Sequence, residues 1–78
     1  ERVKTGNLAG ALADLDAAIE FDPHPQILTQ RGVTRAMSQD FRGAVPDFER
    51  ALERAPADWP HRRLVEDHLR HARAALPR

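Results

Sequence analysis

Apolar residues recur with helical spacing in four stretches of the chain. From Leu8 to Phe21, the residues Leu8, Ala11, Leu12, Leu15, Ala18 and Ile19 fall three or four apart and form one stripe of an amphipathic helix. Asn7 is a suitable N-cap for it, and Asp14, Asp16 and Glu20 lie mostly off the stripe. From Gln26 to Ser38 the apolar set is Ile27, Leu28, Val33, Ala36 and Met37, with Pro25 suited to the first turn. Gly32 in mid-helix costs about 1 kcal/mol against alanine, so it predicts close approach of another backbone, with Ala44 its expected neighbour. From Phe41 to Arg54, Phe41, Ala44, Val45, Phe48, Ala51 and Leu52 repeat the spacing of the first stretch behind an Asp40 cap, and Pro46 predicts a kink. From Trp59 to Leu76, Val65, Leu69, Ala72 and Leu76 step by four, three and four, with Asp58 as the expected cap and Pro60 in the first turn. Residues 1–5 read as the last turn of a helix that begins earlier.

The breaks between these stretches are chemically distinct. Gly6-Asn7, the Asp22-Pro23-His24-Pro25 run, Gln39-Asp40 and the run from Pro56 to Pro60 all punctuate the chain. Ala and Leu dominate, β-branched residues are sparse and tyrosine is absent, so the composition predicts an all-α fold. The 78 residues suffice for one small domain, or part of a larger one, with a thin core. No cysteine is present to staple it. No apolar run approaches the ~20 residues of a membrane span, and no signal-peptide pattern opens the chain, which favours a cytoplasmic location.

The first and third stretches are copies. Gly10, Ala11, Asp14, Ala18, Glu20 and Pro23 recur thirty-three residues later as Gly43, Ala44, Asp47, Ala51, Glu53 and Pro56. Leu8, Leu12, Leu15 and Ile19 recur as Phe41, Val45, Phe48 and Leu52. A repeat of this length, with two helices per unit, predicts a stacked solenoid.

On these residues, positions 25–58 resemble a tetratricopeptide repeat. Leu28, Gly32, Ala44, Phe48, Ala51 and Pro56 stand at that family's large, small, small, aromatic, small and closing-proline positions. Leu8, Ala11, Leu15, Ala18 and Pro23 match the preceding unit. The spacing is one residue short of the family's ~34. Arg35 occupies a position usually large and apolar, and Glu66 one usually small. The resemblance implies a truncated repeat over 1–24, a complete repeat over 25–58 and a capping helix over 59–78. Antiparallel helix pairs would stack into a short right-handed superhelix. It further implies a non-catalytic scaffold that binds a peptide or protein segment on its concave face. The family's groove positions map to Gln26, Thr29, Gln30, Val33 and Met37, and, by the same offset on the last helix, to Arg63, Asp67, Arg70 and His71. The lysine and asparagine set with which some members clamp a C-terminal carboxylate is absent from the first group. The alternative role is structural: self-association or intramolecular docking through the incomplete first unit, whose Leu8, Leu12 and Leu15 lack a partner helix.

Charge adds one expectation. Twelve basic and twelve acidic residues balance, which argues against a nonspecific nucleic-acid binder. Arg31, Arg35, Arg42, Arg50 and Arg54 are cancelled by Asp40, Asp47, Glu49, Glu53 and Asp58, and Arg50 with Glu53 or Arg54, and Glu49 with Glu53, read as ordinary surface charge. Residues 1–29 are net acidic and residues 59–78 net basic, so the expected ligand is a peptide that is acidic or ends in a carboxylate, lying across Arg63 and Arg70. His61, His68 and His71 crowd the last helix without a zinc-binding spacing, and no cofactor is expected. No nucleophile motif and no glycine-rich phosphate loop accompany the scattered carboxylates, so no enzymatic role is expected. Trp59 is expected to cover the edge of Phe48 and Leu52.

Overall fold

A computed structural model describes the backbone of residues 3–76 and the side chains of residues 8–76. Those residues form four α-helices and no strand: α1 (Val3–Phe21), α2 (Pro25–Met37), α3 (Phe41–Arg54) and α4 (Arg62–Ala75). Consecutive helices pack on one another, and α4 also approaches α2. α1 approaches α2 alone among the described residues. The Cα envelope measures 39 × 34 × 19 Å, a slab about two helix diameters thick.

Local chemistry explains the inner boundaries. Pro25 opens α2, and the Nδ1 atom of His24 accepts a hydrogen bond from the Gln26 N–H at 3.1 Å. α2 ends in a Schellman motif: the Asp40 N–H donates to the Arg35 carbonyl at 2.8 Å and the Gln39 N–H to the Ala36 carbonyl at 2.9 Å. Gln39 adopts the left-handed φ of 68° that this motif requires. Asp40 caps α3 by accepting from the Gly43 N–H at 3.0 Å. α3 then runs without interruption through the exposed Pro46, where a kink was expected.

The outer helices begin elsewhere than the pattern predicts. α1 passes through Gly6 and Asn7, so Asn7 is not a cap and residues 3–5 belong to the same helix. Poor propensity at two positions is worth at most about 1 kcal/mol each and does not stop a helix by itself. Residues 1 and 2 lie outside the described part. At the other end, two successive turns carry the chain past Asp58 and Pro60. The Trp59 N–H donates to Pro56 and the Arg62 N–H to Trp59, so α4 starts only after His61.

The core is built from Ile19, Leu28, Ala44, Phe48, Ala51, Val65, Leu69 and Ala72. α1 contributes Ile19 alone, while its leucines remain half-buried. Trp59 is half-buried against this core, its ring edge-on to His61. Gly32 is buried, but its close neighbour is the ring of Phe48 rather than Ala44: a Cβ at Gly32 would stand 2.6 Å from Phe48 Cε1. Met37, expected in the apolar stripe of α2, is 63% exposed.

One of the acidic residues that balance the arginines, Asp47, is buried. It falls between Ala44 and Ala51 on the buried side of α3 and is only 1% exposed. Arg31 of α2 donates to it from two of its three guanidinium nitrogens, Nε to Oδ2 at 3.0 Å and Nη2 to Oδ1 at 2.7 Å. Arg35, one turn on, donates to Oδ2 at 3.1 Å. The remaining arm of Arg31 donates to Asp16 of α1 at 2.8 Å, so one side chain ties three helices. The hydrogen bonds that Arg31 donates to Asp47 raise its pKa above the ordinary value against the opposing effect of burial.

Candidate functional site

One side of α2 faces open space. Gln26, Thr29, Gln30, Val33 and Met37 succeed one another along that side, and all five line a chain of adjoining cavities. The largest, 560 Å³, is a groove with α1 on one wall (Ala11, Asp14, Leu15), α2 as its floor (Thr29, Gln30, Val33, Thr34) and α4 opposite (Leu64, His68). Val33 and His68 join it to an apolar pocket of 260 Å³ that Met37, Phe41, Phe48 and His71 help to line. Thr29, Gln30 and Leu64 join it to a smaller recess of 170 Å³ beside Gln26, Trp59 and His61.

The polar character of this surface is modest. The Thr29 hydroxyl donates to the Pro25 carbonyl at 2.9 Å and the Thr34 hydroxyl to the Gln30 carbonyl at 2.8 Å, so both are engaged within α2. The Gln26 and Gln30 side-chain amides have no partner among the described residues and are exposed at the rim. His68 stacks on Phe48 with ring centroids 5.5 Å apart, which buries one face of the imidazole. Asp14 is exposed on the α1 wall.

Of the α4 residues expected in the groove, only His71 lies there. Arg63, Asp67 and Arg70 line none of the three cavities, and Asp67 accepts from Arg70 at 3.0 Å within the helix. Helical rotation is the reason. At about 100° per residue, Leu64 and His68 stand within about 100° of the buried Val65 on the α2 side, whereas Arg63 and Arg70 stand about 140–160° round from it. The groove side of α4 is therefore Leu64, His68 and His71. The opposite flank serves α3: Arg73 pairs with Glu49, and Arg62 donates to the Leu52 and Ala55 carbonyls at 3.0 and 3.1 Å.

No group of three metal-ligating side chains occurs among the described residues. No helix there is long and apolar enough to cross a membrane.

The chain matches no protein-family model, no curated protein and no solved structure.

Two features escaped the sequence pattern. Leu64 and His68 were missed although the offset that carries Thr29 to Arg63 and Met37 to His71 also carries Gln30 to Leu64 and Thr34 to His68. The Asp47 cluster had a legible signal. Asp14 and Asp47 are repeat-related, and Asp47 stands between small residues of the stripe, with Arg31 and Arg35 one turn apart on the neighbouring helix.

Proposed function

We propose that this chain is a non-catalytic protein–protein interaction module of the tetratricopeptide-repeat kind, binding a peptide or protein segment in the groove along α2. The single supporting observation is the groove itself, whose floor is one continuous face of α2. It is an open trough of 560 Å³ and not an enclosed cavity, a shape that suits an extended or helical segment lying along it. Apolar contact from Val33, Leu15 and Leu64 would supply affinity, and the free amides of Gln26 and Gln30 would fix the backbone of an extended or helical segment. The expected acidic ligand finds no support here, since Arg63 and Arg70 stand on the far side of α4.

Selection of peptides from a random displayed library against the folded chain tests this role. The selected peptides should lose binding to Gln30→Glu and Leu64→Glu, two exposed positions whose substitution leaves the core untouched. Peptides that bind these variants as well as wild type, or an empty selection, would refute it.

The same surface suits a second class of role, self-association or docking of another segment of the same polypeptide. Leu64 at the groove is 53% exposed and Met37 is 63% exposed, two large apolar side chains that a covering segment would remove from water. A mass that rises with concentration, and is restored to that of a monomer by Leu64→Glu, would favour this role.

A further inference from the structure

The two faces of α1 can be identified from α3 of the same chain. Asp16 of α1 pairs with Arg31 on the following helix at 2.8 Å. Glu49, thirty-three residues on, pairs with Arg73 on the helix that follows α3. Each helix thus meets its successor through the same repeat position. Two residues earlier on each stands an aspartate, Asp14 or Asp47. On α3 that side faces the preceding helix: Asp47 receives Arg31 and Arg35, while the Phe48 ring lies against Gly32. Ala11, Asp14 and Leu15 are the repeat counterparts of Ala44, Asp47 and Phe48, and they form the open wall of the 560 Å³ groove. Asp14 has no hydrogen-bond or ion partner among the described residues, where its counterpart has two arginines.

Building on the peptide-binding role of the groove, we propose that its occupant is an amphipathic helix of α2's own kind. It presents an arginine to Asp14 and a glycine or other small residue to Leu15, in an Arg-Gly-x-x-Arg pattern. α1 carries, uncovered, the seat that α3 uses for α2. The arginine fork matches a carboxylate in two parallel hydrogen bonds, and an arriving helix would shield the pair from water as Asp47 is shielded now. A small residue beside the arginine lets the helix come as near to Leu15 as Gly32 comes to Phe48. Thr29, Gln30, Val33 and Thr34 form the second wall of the seat.

The α2 sequence supplies the probe. A fluorescein-labelled peptide of residues 24–38 is titrated with the intact chain into the millimolar range, since a helix this short is marginal alone. Wild type should bind it. Asp14→Asn, which alters only an exposed side chain, should weaken binding about tenfold or more, and the peptide carrying Arg31→Gln and Arg35→Gln should lose a similar factor. The combination should lose little beyond either change, because both remove the same contact. Amide shifts on binding should fall at Ala11, Leu15 and Gln30. Binding that is equal in Asp14→Asn overturns the arginine seat while leaving a peptide-binding groove in place. Shifts centred on Asp47 and Phe48 would mean that the peptide displaces α2 itself, and they overturn it too. No binding to wild type also overturns the proposed partner, whereas the broader role stands or falls on the library selection.

Discussion

The ring of Phe48 lies over Gly32 so closely that a methyl group there would stand 2.6 Å from Cε1 and 2.9 Å from Cδ1. Helix propensity alone would make Gly32→Ala stabilising by about 1 kcal/mol. The contact should reverse that sign, because Phe48 is itself buried among core side chains and has little room to retreat. Gly32→Leu should cost about 1–3 kcal/mol or more as overpacking. Thermal melts of both variants check this, and Gly32→Ala melting above wild type would count against the packing.

Removing Asp47 should be far more damaging than removing Asp16, although both bond Arg31. Asp47→Ala leaves two guanidinium groups facing a buried apolar side, and should cost about 3–5 kcal/mol. The Asp16 side chain is 54% exposed, so Asp16→Ala should cost no more than about 1 kcal/mol. Urea denaturation of the two variants measures the difference. Equal losses would show that Arg31 is held mainly through α1.

Gln39 is the place where stability can be gained. Its φ of 68° suits glycine, which occupies this position of a Schellman motif without steric cost. Gln39→Gly should stabilise by about 0.5–1 kcal/mol, seen as a rise in Tm of a few degrees. An unchanged or lower Tm would mean that the glutamine side chain contributes a compensating contact.

Arg62 closes the end of α3 from the next helix. Its Nη2 atom donates to the carbonyls of Leu52 and Ala55. Arg62→Ala should cost about 1–2 kcal/mol. It should also speed hydrogen exchange of the Ala55 amide, which bonds Ala51 at 3.0 Å in the last turn. Exchange that is unaltered at Ala55 would show that the helix end holds without the arginine.

How much of this was readable beforehand depended on the kind of interaction. α2 and α3 follow from Pro25, Asp40 and the apolar spacing, because caps and proline act over a few residues and leave a local mark. The start of α1 and α4 did not follow. Asn7 and Asp58 are good caps in isolation, but α1 is already helical before Asn7, and two turns after Pro56 delay the start of α4. In the groove, Gln26, Thr29, Gln30, Val33 and Met37 were singled out by the family resemblance and not by the apolar spacing, because a solvent-facing side leaves no hydrophobic signal. On α4, charge singled out Arg63 and Arg70, which the helix turns away from the groove, while Leu64 and His68 carry no pattern of their own. The burial of Asp47 did not follow from hydropathy, which ranks an aspartate by type. Its two arginines come from another helix, and no window along α3 contains them.

That α1 approaches only α2 among the described residues has a thermodynamic consequence. A helix with a single neighbour detaches as a unit by giving up the Ile19 contact and the Asp16–Arg31 pair while Phe48 and Val65 keep their partners on α2, α3 and α4, so α1 is expected to be less protected than the helices behind it. Any occupant wedged between α1 and α2 would bind the attached form alone. Binding and the ordering of α1 would then be linked: the occupant tightens the helix, and whatever loosens the helix weakens the occupant by the same free energy.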